Sequence, residues 1–163
     1  SLLLNRLPTA VTMGATNGSL TAAKKLRLMV RKNLKNNGPP GVRWKQLSPK
    51  YKKFKKRKGG NTDNIWYFKG TYYKNIKVMK KNGSVYVGVP AYKRSTINSK
   101  PKTLGQIANM LENGSTATGL PARPLWKPTF KEFGGKPEIA KHITIGIRRE
   151  VFLLTGIRPK VTM

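Results

Sequence analysis

Apolar residues recur at helical spacing from Leu20 through Ala23, Leu26, Val30 and Leu34, with Lys and Arg on the opposite face. That period predicts an amphipathic helix. Ser19 or Thr21 is its expected N-cap, because a short hydroxyl accepts a bond from a first-turn N–H that the helix leaves unpaired. Asn37-Gly38-Pro39-Pro40 ends it, glycine suiting the left-handed terminal position and proline being unable to continue. Upstream, Pro8, Gly14 and Gly18 interrupt a short apolar cluster, so residues 1–18 are expected to form an irregular arm.

The middle of the chain reads as β. Ile76, Val78 and Lys80 alternate with Lys77, Met79 and Lys81, and Asn82-Gly83 leads into Val85, Val87 and Val89. Asn-Gly between alternating runs predicts a hairpin, since both residues tolerate the positive φ of a tight turn. Ile65-Trp66-Tyr67-Phe68 fits either another strand or a short buried element, and four residues do not separate the two. A Lys/Ser/Asn/Pro-rich loop covers 91–102. Leu104, Ile107, Ala108 and Leu111 then predict a short helix ending at Asn113-Gly114.

Pro121 and Pro124 flank Arg123 and hold that stretch extended. A last helix is expected over 137–154, with Pro137 in its first turn, Ile139, Ile143, Ile147, Val151 and Leu154 as its apolar stripe, and Gly156 as its stop. The expected class is α+β: an N-terminal helix, a small antiparallel sheet with a central hairpin, a C-terminal helix packed on the sheet, and a long basic loop at 41–62. One domain at 19–155 is flanked by the arm and by a tail at 156–163, and no internal repeat is visible.

Charge changes the picture most. The 163 residues hold 34 Lys and Arg against 5 acids, a net charge of +29, while 37% are hydrophobic and 9% aromatic. A modest core is available. A charge that large opposes compaction unless something anionic lies nearby, which points to nucleic acid or an acidic protein surface. The cations concentrate at Arg43, Lys45, Lys50, Lys52, Lys53, Lys55, Lys56, Arg57 and Lys58. Trp44, Leu47, Tyr51 and Phe54 are interleaved among them, so this segment fits a short helix with an aromatic underside and a cationic top, closed by Gly59-Gly60. It is the candidate polyanion contact, its alternative being a solvated, mobile loop.

Catalysis is not expected. The acids Asp63, Glu112, Glu132, Glu138 and Glu150 are scattered, where acid–base pairs and oxygen-ligand metal sites need them convergent. His142 beside Lys141 has no nucleophile motif around it and reads as an exposed or half-buried helix residue. The absence of Cys removes thiolate chemistry, and no glycine loop of phosphate-cradling spacing occurs. No catalytic residue, metal, cofactor or small-molecule substrate is therefore expected. The apolar runs at 2–4 and 151–154 are too short to span a bilayer, the N-terminal stretch lacks the features of a signal peptide, and no long apolar face supports membrane binding. Asn-Gly-Ser triplets at Asn17, Asn82 and Asn113 read as turns.

The order of motifs resembles the tail-completion, or head–tail joining, proteins of tailed bacteriophages. The matching pieces run in sequence: Trp44-Lys45-Gln46-Leu47-Ser48-Pro49; Lys69-Gly70-Thr71-Tyr72-Tyr73-Lys74-Asn75-Ile76 with Val85-Tyr86-Val87-Gly88; Ile107-Ala108-Asn109-Met110-Leu111-Glu112-Asn113-Gly114; and the box Pro121-Ala122-Arg123-Pro124-Leu125-Trp126. The resemblance covers about 19–155. Leu125 stands where that family usually has Phe, and the basic excess is stronger than the family's.

The resemblance implies a homo-oligomeric ring at the virion neck, assembled in the host cytoplasm, touching other neck, connector or tail proteins and the passing DNA without reading its sequence. Trp44, Pro121, Arg123, Pro124 and Trp126 are the candidate interface residues. Against this, Arg123 can instead pair Glu112 or a backbone carbonyl inside the monomer, with Trp126 in the core. The rival class is a basic ribosomal or ribonucleoprotein component binding structured RNA. A sequence-specific DNA regulator fits less well, for want of a helix-turn-helix, zinc ligands or a zipper.

Overall fold

Residues 2–18 do not form the irregular arm expected for 1–18. In the computed structural model, which describes residues 2–66, 70–94 and 102–157, a single helix α1 (Leu2–Lys35) covers both that stretch and the predicted helix. Ser19 and Thr21 therefore lie inside the helix and are not caps; Thr21 Oγ1 donates to the Asn17 carbonyl at 2.9 Å. Pro8 lies past the first turn, where its missing N–H costs one intrahelical bond and its ring crowds the carbonyl four residues back. Gly14 and Gly18 serve packing. Ala10, Gly14, Gly18 and Ala22 are spaced by four, and all are buried. A Cβ on Gly14 would collide with Ile147 Cα, one on Gly18 with the His142 carbonyl oxygen, and one on Gly146 with the Gly14 carbonyl oxygen.

The chain divides into two compact units. Unit 1 comprises Ser1–Lys25, Val78–Tyr86 and Gly134–Met163. Its helix α6 (Gly135–Thr155) begins two residues before the expected start and ends at Gly156, which has a φ of +69°. Gly14 lies opposite Gly146 and Gly18 opposite His142, so α1 and α6 run antiparallel at backbone contact. Asn17 Nδ2 donates to Glu150 Oε1 across the same seam at 3.1 Å. The buried face of α6 is His142 and Gly146, beside the half-buried apolar stripe. His142 is thus buried, contrary to expectation, with Nε2 3.3 Å from Glu138 Oε1. Small residues let the backbones touch, and close contact offsets the roughly 1 kcal/mol that each helical glycine costs.

The expected hairpin is present as β1 (Lys77–Lys81) and β2 (Ser84–Gly88), and among the described residues the sheet has these two strands. Asn82 and Gly83 adopt φ of +49° and +73°, the left-handed pair that a two-residue turn demands. Ile65 and Trp66 are buried outside any strand; Tyr67 and Phe68 lie outside the described residues.

Unit 2 comprises Leu26–Lys77 and Val87–Phe133 and contains the apolar core: Val30, Leu34, Trp44, Leu47, Ile65, Trp66, Tyr72, Ile76, Leu104 and Leu125. The segment expected as a long basic loop is only partly loop, since α2 (Pro49–Arg57) occupies its centre. A short α3 (Thr71–Lys74) precedes β1, and α4 (Leu104–Asn113) stops at Gly114 as expected. Thr103 and Gln106 form a capping box at its start. Residues 121–124 form neither helix nor strand, the Leu125 backbone is already helical, and α5 (Trp126–Glu132) follows where no helix is expected. Its first amides have an outside acceptor: the Glu112 carboxylate takes the N–H of Leu125 at 2.8 Å, of Trp126 at 3.2 Å and of Lys127 at 3.4 Å. A carboxylate there also complements the positive end of the helix dipole.

Candidate polyanion interface

The cationic face is built on α2. Ser48 adopts an extended backbone, and its hydroxyl accepts from the Tyr51 N–H at 3.3 Å, while Pro49 enters the first turn at no cost in hydrogen bonds. Gly59, with a φ of +67°, closes the helix, and the Gly60 N–H reaches back to the Lys55 carbonyl at 2.8 Å. Between these ends Lys50, Lys52, Lys53, Lys56 and Arg57 are exposed, and Lys58, Arg43 and Lys45 extend the cationic surface on either side. No acidic residue lies in the first turn of α2. Tyr51 stacks on Phe54 at 5.8 Å between centroids, but Tyr51 is exposed and only Phe54 is half-buried, so the aromatic underside expected on this helix is met only in part.

Lys55 departs from expectation. Its side chain is fully buried and its ammonium donates to the Asn64 carbonyl at 2.7 Å, so it takes no part in the cationic surface. The physical reason is helical phase: Lys55 lies beside the half-buried Phe54 on the inward side of α2. Its pKa falls from 10.5 to about 8: burial lowers it most, Arg123 lowers it as well, and Asp63 opposes both. Asn64 in turn donates to the Leu34 and Lys35 carbonyls at 2.7 and 2.8 Å, satisfying the end of α1. Asn37 holds the same loop, accepting from the Ile65 N–H at 2.7 Å and donating to the Asp63 carbonyl at 2.8 Å.

The candidate interface residues lie mostly inside unit 2. Trp44 is buried, stacks on Trp66 at 5.7 Å and donates its indole N–H to the Pro124 carbonyl at 3.0 Å. Arg123 is 3% exposed and donates from Nε to the Lys45 carbonyl at 3.1 Å. That places both residues in the intramolecular arrangement, with a backbone carbonyl and not Glu112 as the acceptor. Pro121, Pro124 and Trp126 are half-buried, and the Trp126 indole donates to the Tyr72 hydroxyl at 3.1 Å. The Arg123 pKa is lowered, chiefly by burial. Trp44, Lys45, Glu112, Arg123, Pro124 and Trp126, distant in sequence, thus form one hydrogen-bonded support beneath α2.

The acids have local partners. Glu132 accepts from Asn33, Glu138 lies 3.8 Å from Lys141 Nζ, and Asp63 accepts from Thr62 Oγ1 at 3.3 Å. Among the described residues no three His, Cys, Asp or Glu side chains gather closely enough to hold a metal, and no helix is long and apolar enough to cross a membrane. Sequence reasoning missed the glycine seam and the Glu112 cap. The first had a visible signal, Ala10, Gly14, Gly18 and Ala22 at intervals of four; the second had none nearby. Comparison with protein-family models, curated proteins and solved structures finds no match.

Proposed function

We propose that this chain is a non-enzymatic structural subunit of a tailed-phage neck. It forms a ring around the DNA channel, with the α2 cations turned toward phosphates. The observation that carries the reading is the interlocking of the ordered motif residues: Trp44 with Pro124, Lys45 with Arg123, and Glu112 with the start of α5. Those contacts give the Trp-x-x-Leu-Ser, Glu-x-Gly and Pro-Ala-Arg-Pro pieces a shared structural purpose, which suits motifs that travel together. The exposed cations supply phosphate contact, and such contacts position a protein on nucleic acid without reading bases.

The test is the solution mass of nucleic-acid-free protein by light scattering after high-salt chromatography, with electron microscopy of the same peak. Closed rings are the expected result. A monomer that binds structured RNA tightly and duplex DNA weakly would overturn the reading in favour of a ribonucleoprotein component.

A further inference from the structure

Marking every Lys and Arg along the chain leaves two long windows with no basic residue, 7–23 and 103–122. In a chain of net charge +29, these are the two longest stretches that bring no cation of their own to a contact between copies. The first lies on α1 and spans about 25 Å of helix. It exposes Thr9, Val11, Thr12 and Met13, the last 53% exposed. The Thr12 and Thr16 hydroxyls donate to the Pro8 and Thr12 carbonyls at 2.9 Å each, so their donors are spent within the helix.

The second window is concave. Asn109, Met110, Asn113, Thr116, Leu120 and Pro121 line a depression of about 550 Å³, bordered by α4 and the 3₁₀ turn Thr116–Thr118. Its one charged residue, Glu112, is engaged at the start of α5. One window is therefore a helix face without cations, and the other a shallow, open depression without cations.

A ring requires a heterologous contact, in which two different patches of one chain meet on neighbouring copies. We propose that the partner of each neutral surface is a second copy of this chain, the α1 face around Met13 of one copy seating in the 109–121 hollow of the next. This rests on the ring reading above and assigns its subunit contact.

Two charge-insertion variants test it, each at exposed positions: Thr12→Lys with Met13→Lys on the helix face, and Asn109→Lys in the hollow. Measurements are made at about 1 M salt, where a Debye length of about 3 Å screens the general repulsion, and circular dichroism checks that both variants fold. Each variant alone is expected to lose self-association by about 100-fold, since the contact would bury an ammonium that has no partner. Mixed together, they are expected to give a dimer and nothing larger, because only one intact face and one intact hollow remain. If both variants keep the wild-type mass, or both dissociate but the mixture gives no dimer, this pairing is overturned while the ring reading stands. A wild-type chain that never self-associates overturns the ring and the pairing together. As a second readout, Met13→Cys gives the chain its only thiol for a photo-crosslinker. Adducts between isotopically distinct copies are expected within 103–122, and adducts confined to the same copy would sink the proposal.

Discussion

A methyl group on Gly18 would be driven into the His142 carbonyl oxygen and Ile143 Cα. Helix propensity favours alanine over glycine by about 1 kcal/mol, whereas overpacking costs about 1–3 kcal/mol. Packing wins here, because the atoms in the way are backbone and cannot rotate aside. Gly18→Ala is therefore expected to lower stability by about 1–2 kcal/mol in urea unfolding; a stabilised variant would contradict the seam. Lys55 carries a second prediction at this scale. Its folded pKa of about 8 lies below the ordinary 10.5, so between those values the unfolded chain holds more protons and stability rises with pH. The penalty is fully present below about pH 8 and gone above about pH 10.5, worth about 3 kcal/mol in total. Lys55→Met is expected to lose that rise, read as the difference between the two stability–pH curves, to which the other cations contribute alike. Parallel curves would show that the ammonium is not desolvated.

The elements divide according to how local their causes are. The C-terminal ends of α2, α4 and α6 were legible because Gly59, Asn113-Gly114 and Gly156 act on neighbouring amides and carbonyls, and the Asn82-Gly83 hairpin was legible for the same reason. The first half of α1 was not: its glycines look like breakers until Gly146, far along the chain, is seen against Gly14. Helix α5 was not legible either, because its cap comes from Glu112 on α4. The cationic candidate site could be read from composition, but not the withdrawal of Lys55 from it, although a 3.6-residue period through Tyr51 and Phe54 passes position 55. Glu112 gives the test at this scale. Glu112→Ala leaves the Leu125 and Trp126 amides without their acceptor and is expected to cost about 2–3 kcal/mol, with Glu112→Gln in between. Faster hydrogen exchange at the amides of residues 125–127 would accompany the loss; unchanged protection there would mean that the carboxylate does not hold the helix start.

For the whole molecule, a charge of +29 acts as a field, whereas α2 presents a surface, and the two make different predictions. A diffuse field attracts any polyanion and depends little on which cations are removed. A surface that meets phosphates loses about 0.9 units of slope in log affinity against log salt for each contact removed from duplex DNA. Replacing Lys50, Lys52, Lys53 and Lys56 with Gln takes four exposed ammonium groups from one helix. If each meets a phosphate, the slope should flatten by about 3–4 units. The loss should be equal on duplexes of unrelated sequence, since phosphate contacts carry no base information. Lys55→Gln removes one formal charge from the same helix but from a buried site, so it should leave the slope as it was. Anisotropy titrations of the three proteins over a salt series separate the cases. A slope that falls equally per charge in both variants means that the field alone binds DNA, and α2 then loses its claim to face the channel.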